Sequence, residues 1–303
     1  ARLAELAKIK AARKRTDKLV EAILFSAAAV SVFTTLAIVY ILVKESVVFF
    51  STIPFKDFLT DSQWTPLFDD AHFGIFVLLA GTVSSSLVAL CIAIPLGTII
   101  AIYLSEFAGH KLRETLKPIL ELLSGVPTII YGFFALLVVT PLIQKIYPEL
   151  PTFNILSAGI VMGIMIIPFI SSLSDDIITQ VPKSMRDGSL GLGATKSETI
   201  IKVVLPAALP GIVGAILLAV SRAIGETMIV VLAAGNSPAL TANPFEAVST
   251  VTVTIVNQLT GDNDFASPQS LVAFALGLTL FVITLLLNVV ALVIVRKYRE
   301  QYE

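Results

Sequence analysis

The sequence predicts an all-α integral membrane protein with six transmembrane helices. Hydrophobic residues make up 56% of the chain and its mean hydropathy is +0.90, both outside the range of soluble globular proteins. An apolar helix needs roughly 20 residues to cross the hydrocarbon core of a bilayer. Proline and glycine inside such helices are tolerated, because neighbouring helices satisfy the freed backbone groups. The six apolar segments are 19–43, 73–104, 119–143, 155–173, 207–235 and 271–295.

Lysine and arginine are sorted by side of the predicted bundle. Seventeen of them precede the first span, follow the second, separate the fourth from the fifth, or end the chain. Only Lys44, Lys56 and Lys145 lie in the loops on the other side. Cytoplasmic loops carry an excess of Lys and Arg. Both termini and the segment 174–206 are therefore predicted to be cytoplasmic.

The same pattern divides the chain into four parts. A basic tail is expected to be attracted to the anionic headgroups of the bilayer. It is followed by the first span with its outer loop, by the remaining spans, and by a short cytoplasmic tail; the four parts are 1–18, 19–72, 73–295 and 296–303. Within the second outer segment, 236–270, the apolar stretch 247–259 is too short to cross a bilayer. We expect an interfacial or outward-facing helix there, and its alternating pattern also permits a strand.

Two charged residues, Arg222 and Glu226, lie inside the fifth apolar segment. Their spacing of four puts them on one face of a continuous helix, close enough to pair. Charge at mid-bilayer costs at least ~2.5–3.5 kcal/mol, so such residues face a bundle interior or a watery cavity. The functional interpretation is that Arg222 offers its forked donors to an anion, with Glu226 holding or tuning it. The alternative is a self-neutralising structural pair between helices.

The third apolar segment contains Ser124, Pro127 and Tyr131. Pro127 removes one helical hydrogen bond and predicts a kink that frees carbonyl groups toward a cavity. Ser124 and Tyr131 supply polar groups nearby, so the three residues are candidates for lining a transport pathway. A packing kink at a helix interface is at least as good an interpretation.

The polar insertion 184–206 has more helix signals than a simple connector needs. Gly193 stands where a helix that ends in a left-handed residue requires glycine, and Pro206 is predicted to open the next span. Two pairs fit the capping-box spacing: Ser184 with Asp187, and Thr195 with Glu198. The insertion is therefore predicted to form two short helices joined by a glycine elbow, a shape suited to docking.

Enzymatic and nucleotide-binding functions are not indicated. His72 and His110 lie in loops on opposite sides of the membrane, and no metal-ligand spacing or catalytic triad is present in the sequence. The glycine-rich stretch 188–197 does not place its lysine directly after the second glycine, as a phosphate-binding loop requires. We therefore expect no cofactor and no nucleic acid on this chain, and any ATP must bind another subunit. Cys91 is the only cysteine, so no disulfide framework exists.

The insertion resembles the EAA loop of ABC-importer permeases, whose signature is Glu-Ala-Ala, three residues, Gly, nine residues and Ile-x-Leu-Pro. The spacing matches throughout, with mild substitutions, and the corresponding residues are Asp187, Gly188, Ser189, Gly193, Val203, Leu205 and Pro206. This resemblance implies the type I ABC-importer permease architecture. It also implies that the insertion is a coupling helix seated in a groove of a cytoplasmic ATPase.

Within that family, three segments are similar to the phosphate-specific (Pst) permeases. They are RAIGET at 222–227, GVP with YGF within 125–133, and PLG with IYLSEFA within 95–108. The basic tail and the first of these favour the PstC type over its companion, PstA. The resemblance implies a multi-pass subunit of a bacterial cytoplasmic membrane. Its implied partners are a second phosphate permease, two ABC ATPase subunits and an extracytoplasmic phosphate-binding protein.

Two other classes of function remain open at this stage. A permease of the same class for sulfate or molybdate would also use an arginine for a tetrahedral anion. A self-sufficient secondary transporter or channel would need no ATPase, and the insertion would then be an ordinary cytoplasmic loop. A competition uptake assay separates the oxyanions, and reconstitution without any ATPase separates a secondary transporter or channel from an importer.

Overall fold

The structure is a computed structural model that describes residues 2–66, 68, 70–241, 243–260 and 267–298, with the side chains of 2–16 and 298 left aside. The helices, numbered in chain order, are α1 (Arg2–Thr52), α2 (Phe55–Thr60), α3 (Ile75–Ile102), α4 (His110–Ser124), α5 (Thr128–Phe134), α6 (Thr140–Gln144), α7 (Ile155–Gln180), α8 (Lys183–Gly191), α9 (Lys196–Thr199), α10 (Leu205–Ile224), α11 (Met228–Ala233), α12 (Val251–Thr260) and α13 (Pro268–Tyr298). Three π-helical turns extend α3 or join helices, at Tyr103–Phe107, Ala135–Val139 and Ile200–Val204. A two-stranded antiparallel hairpin pairs β1 (Trp64–Thr65) with β2 (His72–Phe73).

The predicted all-α membrane class is confirmed. Within the described residues, five helical stretches are long and apolar enough to cross a bilayer: Asp17–Thr52, Ile75–Phe107, Ile155–Gln180, Lys196–Ile224 and Pro268–Lys297. A sixth span exists only if the bent pair His110–Ser124 and Thr128–Gln144 is counted as one. The first of these stretches packs mainly along α13, where Gly277 admits the side chain of Leu42. Most of its apolar side chains are exposed, as expected for lipid-facing positions.

The third apolar segment, 119–143, is interrupted near Pro127 as predicted, but by a bend much sharper than a kink. α4 ends at Ser124, and the next helix, beginning at Thr128, is bent by 87° away from it. Pro127 lacks a backbone N–H and disfavours a helical conformation at the residue before it. The chain therefore bends by nearly a right angle here. Pro127 stands just before α5 and not inside a kinked helix.

Two of the π-helical turns end two residues before a proline. They are Ala135–Val139, before Pro141, and Ile200–Val204, before Pro206. A proline cannot donate to the carbonyl four residues earlier and its ring crowds that carbonyl, and a π-turn changes the pairing at that point. The prediction that Pro206 opens a span is wrong, because the helical stretch Lys196–Ile224 runs through it.

The centre of the bundle is the contact between α3 and α7, where small residues bring the two backbones together. A Cβ atom at Gly163 would lie 2.8 Å from the carbonyl oxygen of Ala89, and one at Gly159 would lie 2.5 Å from Val88. Gly97 likewise faces Ile170. Helix association in membranes relies on such close packing because lipid is as apolar as the helices. This contact fixes α7, whose end leads directly into α8.

The apolar stretch 247–259 contains a helix, α12, which begins at Val251, so the strand interpretation is wrong and a helix is confirmed. Val251, Val253 and Thr254 on this helix are buried inside the protein, and the interfacial or outward-facing position stays a prediction. The Val251 N–H donates to Oγ1 of Thr82 on α3, at 3.1 Å, which satisfies a backbone group at the start of α12. α12 packs mainly against α13. It is thus a short helix inserted among the long ones, which its length alone did not predict.

The loop between α2 and α3 is organised by an aromatic cluster and a charged histidine site. The rings of Phe49, Phe58, Phe73 and Trp64 form edge-to-face contacts at centroid distances of 5.5–6.1 Å. Beside them, Nδ1 of His72 lies 2.6 Å from a carboxylate oxygen of Asp61, and Nε2 lies 3.5 Å from Asp70.

The first prediction concerns the ionisation of His72. The hydrogen bond that His72 donates to Asp61 raises the pKa of His72 above its ordinary value of 6.5; burial opposes this, and the charges of Asp61 and Asp70 add to it. The bond therefore stabilises the folded loop fully at a pH below 6.5, the ordinary pKa of histidine. This stabilisation is lost as the pH rises through the raised pKa of His72. We expect NMR titration to give a pKa above 6.5 for His72, and Asp61→Asn to lower it.

The chain has only two histidines, so a His110→Gln variant assigns the two imidazole signals. A pKa of His72 that does not respond to Asp61→Asn would contradict the proposed pairing.

Candidate functional site

The fifth apolar segment is interrupted at the residues that carry its charges. α10 ends at Ile224, and α11 begins at Met228. Oε1 of Glu226 accepts hydrogen bonds from the backbone N–H groups of Met228, at 3.0 Å, and Ile229, at 3.4 Å. The first amides of a helix have no partner inside it, and a carboxylate there also complements the helix dipole. Glu226 is therefore a cap for α11.

The predicted pairing of Arg222 with Glu226 on one helix face is wrong. Glu226 lies beyond the end of α10 and is 9% exposed, and its carboxylate is engaged by backbone amides. Cζ of Arg222 lies 5.5 Å from the ring centroid of Phe169 on α7. Among the residues that the structure describes, no carboxylate forms an ion pair with Arg222 within 4.0 Å. The half-buried guanidinium is thus held by a cation–π contact, and it donates no hydrogen bond to the residues that the structure describes.

The break at 225–227 is fixed from a second side by α12. The hydroxyl of Thr252 donates to the main-chain oxygen of Glu226 at 2.8 Å. The Glu226 N–H, in turn, donates to the carbonyl of Ala223 at 3.2 Å. Backbone and side chain of Glu226 together tie α10, α11 and α12. The acidic residue therefore positions the helix end that carries Arg222 without neutralising it.

Of the candidates in the bent pair, two donate their hydroxyls to backbone carbonyls at the end of α4. Oη of Tyr131 donates to the carbonyl of Leu123 at 2.9 Å, across the 87° turn. Oγ of Ser124 donates to the carbonyl of Glu121 at 2.7 Å, within α4. Both bonds satisfy carbonyl groups at the end of a helix that have no helical partner. These contacts favour the structural interpretation for Ser124 and Tyr131.

The bent pair and the broken segment lie against each other. α5 packs on α11, and a Cβ at Gly132 would lie 3.0 Å from the carbonyl of Met228. The structure therefore brings Tyr131, the turn after Ser124 with Pro127, and the charged break into one region of the bundle, as a shared pathway requires.

The insertion 184–206, which we call the coupling segment, has the predicted elbow. Gly193 adopts φ +89°, a left-handed conformation that glycine adopts without a steric penalty. The hydroxyl of Thr195 accepts from the Glu198 N–H, and the Glu198 carboxylate accepts from the Thr195 N–H at 3.0 Å, which confirms this capping box. The hydroxyls of Ser189 and Thr199 meet at 2.9 Å and close the elbow.

Two details of the coupling segment differ from the prediction. α8 begins at Lys183, directly after Pro182, and no side chain caps it, so the predicted capping box of Ser184 with Asp187 is wrong. The second helix is also not separate, because α9 continues through the π-turn into α10.

The residues of the EAA-like pattern are distributed between surface and packing. Asp187, Gly188, Gly193 and Pro206 are exposed, and Val203 and Leu205 are partly buried. The elbow also carries two apolar side chains that the sequence analysis missed: Leu192 is 92% exposed and Leu190 46%. The sequence signal that could have identified them is a pair of leucines flanking Gly191 within an otherwise polar insertion. The elbow is thus a polar projection with an apolar tip.

An ion-pair cluster near the end of α7 was also missed. Asp175 is wholly buried, and one of its carboxylate oxygens lies 2.9 Å from Nη2 of Arg113 and 3.1 Å from Nζ of Lys117. Lys117 also pairs with Asp176, whose side chain is half exposed. Arg113 and Lys117 are four residues apart on α4, so one face of α4 is held against α7. The side chains of Arg113 and Lys117 therefore lie against the protein. Leu122, on another face of α4, is 74% exposed.

The second prediction tests this cluster with a matched pair of neighbours. We expect Asp175→Asn to destabilise the protein by about 1–3 kcal/mol, because it leaves two partly buried cations without their shared partner. Asp176→Asn removes an exposed partner and is expected to cost less than about 1 kcal/mol. Thermal unfolding of the two purified variants in detergent measures the difference. Equal stabilities would contradict the assignment of Asp175 as the organising carboxylate.

These features define a polytopic helical membrane protein with an exposed glycine elbow. A family model described as "Binding-protein-dependent transport system inner membrane component" matches residues 93–300. The match covers more than half of the chain, so the chain belongs to this family of ABC-importer permeases.

The relatives narrow the likeness further. The chain is 37% identical over 260 residues to the phosphate transport system permease protein PstC of Mesorhizobium japonicum, covering 80% of this chain and 78% of that protein. It is 36% identical over 230 residues to the probable ABC transporter permease protein YqgH of Bacillus subtilis, covering 76% and 74%.

Among solved structures, a bacterial alginate ABC transporter in complex with its alginate-bound periplasmic protein matches with a TM-score of 0.64. The identity is 17% over 93% of this chain and 96% of that chain. The likeness is to the fold, and it supports the predicted type I importer architecture. The fold and the family together place the chain among multi-pass inner-membrane permeases.

Proposed function

We propose that this chain is the PstC-type permease subunit of an ATP-driven importer of inorganic phosphate. The observation that carries the proposal is the state of Arg222: a half-buried guanidinium, with no paired carboxylate in the described part of the chain, at a break between α10 and α11. A guanidinium binds a tetrahedral oxyanion through parallel charge-assisted hydrogen bonds. An arginine already paired with Glu226 would have neither its full charge nor all of its N–H donors available for the anion.

The position of Arg222 suits transient binding. Broken helices inside membrane proteins occur where backbone lines a cavity, and substrate sites form at such breaks. The Phe169 ring holds the cation without using its N–H donors, and Glu226 fixes the break from the other side. We infer that phosphate passes Arg222 during alternating access, with Tyr131 and the turn at Ser124 and Pro127 shaping the neighbouring wall.

The coupling segment is proposed to dock on an ATPase subunit. It exposes Asp187 and Gly188, and its apolar tip exposes Leu190 and Leu192. Polar rims around apolar anchors are typical of protein interfaces. The proposed assembly contains a second phosphate permease, two ATPase subunits that bind and hydrolyse the ATP, and an extracytoplasmic phosphate-binding protein. The two termini and the coupling segment then lie in the cytoplasm.

The substrate is tested by competition. Membrane vesicles that contain the assembled transporter should take up radiolabelled phosphate, and excess sulfate or molybdate should leave the rate within about twofold. Sulfate or molybdate uptake that exceeds phosphate uptake would contradict the proposed substrate and favour the related oxyanion permeases. This outcome would leave the proposed coupling intact.

A further inference from the structure

One arginine on α8 joins three elements of the structure. Nη2 and Nε of Arg186 donate to Oε1 of Glu106, at 2.8 and 3.2 Å. The same guanidinium donates to the carbonyl of Ile178, at 2.8 Å, and to that of Val181. Ile178 and Val181 lie at the end of α7, and Glu106 lies in the π-turn that ends the helix begun by α3. Arg186 therefore connects α8 to the ends of two membrane-spanning helices.

The ion pair between Arg186 and Glu106, which we call the joint, is largely shielded from water. The side chain of Arg186 is 18% exposed and that of Glu106 is 9% exposed. By contrast, the pair between Lys202 and Glu198 on the same segment is 71% and 46% exposed. An exposed pair constrains little because solvent screens it, whereas breaking a shielded pair leaves a charge without its partner. Arg186 and Glu106 thus hold a defined geometry.

The other limb of the elbow contacts the same π-turn. Nζ of Lys196, at the start of α9, lies 4.8 Å from the ring centroid of Phe107. Glu106 and Phe107 are neighbours in the turn Tyr103–Phe107, so both limbs of the coupling segment contact it. π-turns interrupt regular helices and are frequent at functional sites.

Building on the proposed function, we propose that Arg186 is a positioning residue that makes the coupling segment and the end of the α3 stretch move as one body. Covalent continuity through Pro182 links α8 to α7 alone. Without the bond to Glu106, a movement of the elbow would reach the helical stretch Ile75–Phe107 only through helix packing and the weaker contact of Lys196 with Phe107. With this bond, the ATPases act on both helices of the central α3–α7 contact at once.

The first test needs no knowledge of the substrate. Cys91 is replaced by serine, and spin labels are placed on Lys183→Cys in α8 and Ile99→Cys in α3, two exposed positions. In the assembled transporter, the distance between the labels should be the same with and without ATP, because the two elements move together. Adding Arg186→Gln should make the distance depend on ATP. A distance that depends on ATP with Arg186 present would overturn the proposal.

The second test separates coupling from assembly. In proteoliposomes containing the full complex, Arg186→Gln and Glu106→Gln should lower the phosphate transported per ATP hydrolysed by about tenfold, a usual range for coupling between sites. The rate of ATP hydrolysis should remain within about twofold. The control is Lys111→Gln, an exposed lysine on α4, which should behave as the unaltered protein does. An unchanged ratio in both variants would overturn the proposal.

The two proposals fail in different ways. If the unaltered complex transports no phosphate, the proposed substrate is wrong, and the label distances still decide the role of Arg186. If phosphate is transported but the label distances vary with ATP, the joint is wrong and the proposed function stands.

Discussion

Replacing Arg222 with alanine is expected to reduce phosphate uptake by about 100-fold or more. Truncating one partner of a shielded, hydrogen-bonded charge pair typically costs about 2–5 kcal/mol, and 2.7 kcal/mol corresponds to about 100-fold. Without Arg222, phosphate would have to pass the break between α10 and α11 with no compensating cation on this part of the described chain. Uptake at limiting phosphate, in vesicles with matched amounts of assembled transporter, measures the loss.

Two variants make the interpretation specific. Arg222→Lys keeps the charge and loses the forked donors, so its uptake should lie between those of alanine and arginine. Ser221→Ala removes only a hydroxyl that bonds to the carbonyl of Leu217 in its own helix, and uptake should be unchanged. Full uptake by Arg222→Ala would exclude contact with the anion and leave Arg222 a packing role against Phe169.

Replacing Gly193 with valine is expected to abolish ATP-driven transport while the chain still inserts and assembles. At φ +89° no other residue is as easily accommodated, and a β-branched side chain is disfavoured most. No atom lies within 4 Å of the position that a Cβ would take. The expected effect therefore comes from the backbone, which would re-aim the elbow and its apolar tip. Phosphate uptake and ATP hydrolysis, both measured on the reconstituted complex, report the loss.

Substitutions at the same position provide the control. Asparagine tolerates the left-handed conformation better than other residues, so Gly193→Asn should retain far more transport than Gly193→Val. Gly193→Asp should fall between them or fail, since it adds a charge at the docking face. Equal transport by the valine and asparagine variants would contradict a role for elbow geometry.

Sequence patterns predicted the helical membrane class and the elbow because both depend on local information. Apolar length gives a span, and the hydroxyl of Thr195 three residues before Glu198 gives a capping box, although the same spacing at Ser184 and Asp187 does not. The pairing of Arg222 with Glu226 failed for the opposite reason. Spacing of four implies contact only in an unbroken helix, and Glu226 prefers the amides of α11. A glycine between the two charges was the one visible warning.

The sequence predicted a bend near Pro127 but not its angle of 87°. Proline predicts a disturbed helix, but the angle between the two helices depends on what each of them packs against. α4 is drawn to α7 by Asp175, and α5 is packed on α11. Both contacts join residues far apart in the chain, as does the bond between Arg186 and Glu106. Such pairs have no local pattern, which is why the sequence did not identify them.

The central claim is that this chain forms a phosphate pathway that opens only when ATPases act on its coupling segment. The most direct measurement compares proteoliposomes that contain the two permeases with and without the ATPase subunits, under an inward phosphate gradient and with the loaded binding protein present. We predict phosphate uptake only with the ATPases and ATP, and loss of that uptake in Gly193→Val. Gradient-driven uptake by the permeases alone would contradict the claim and identify a secondary transporter or channel.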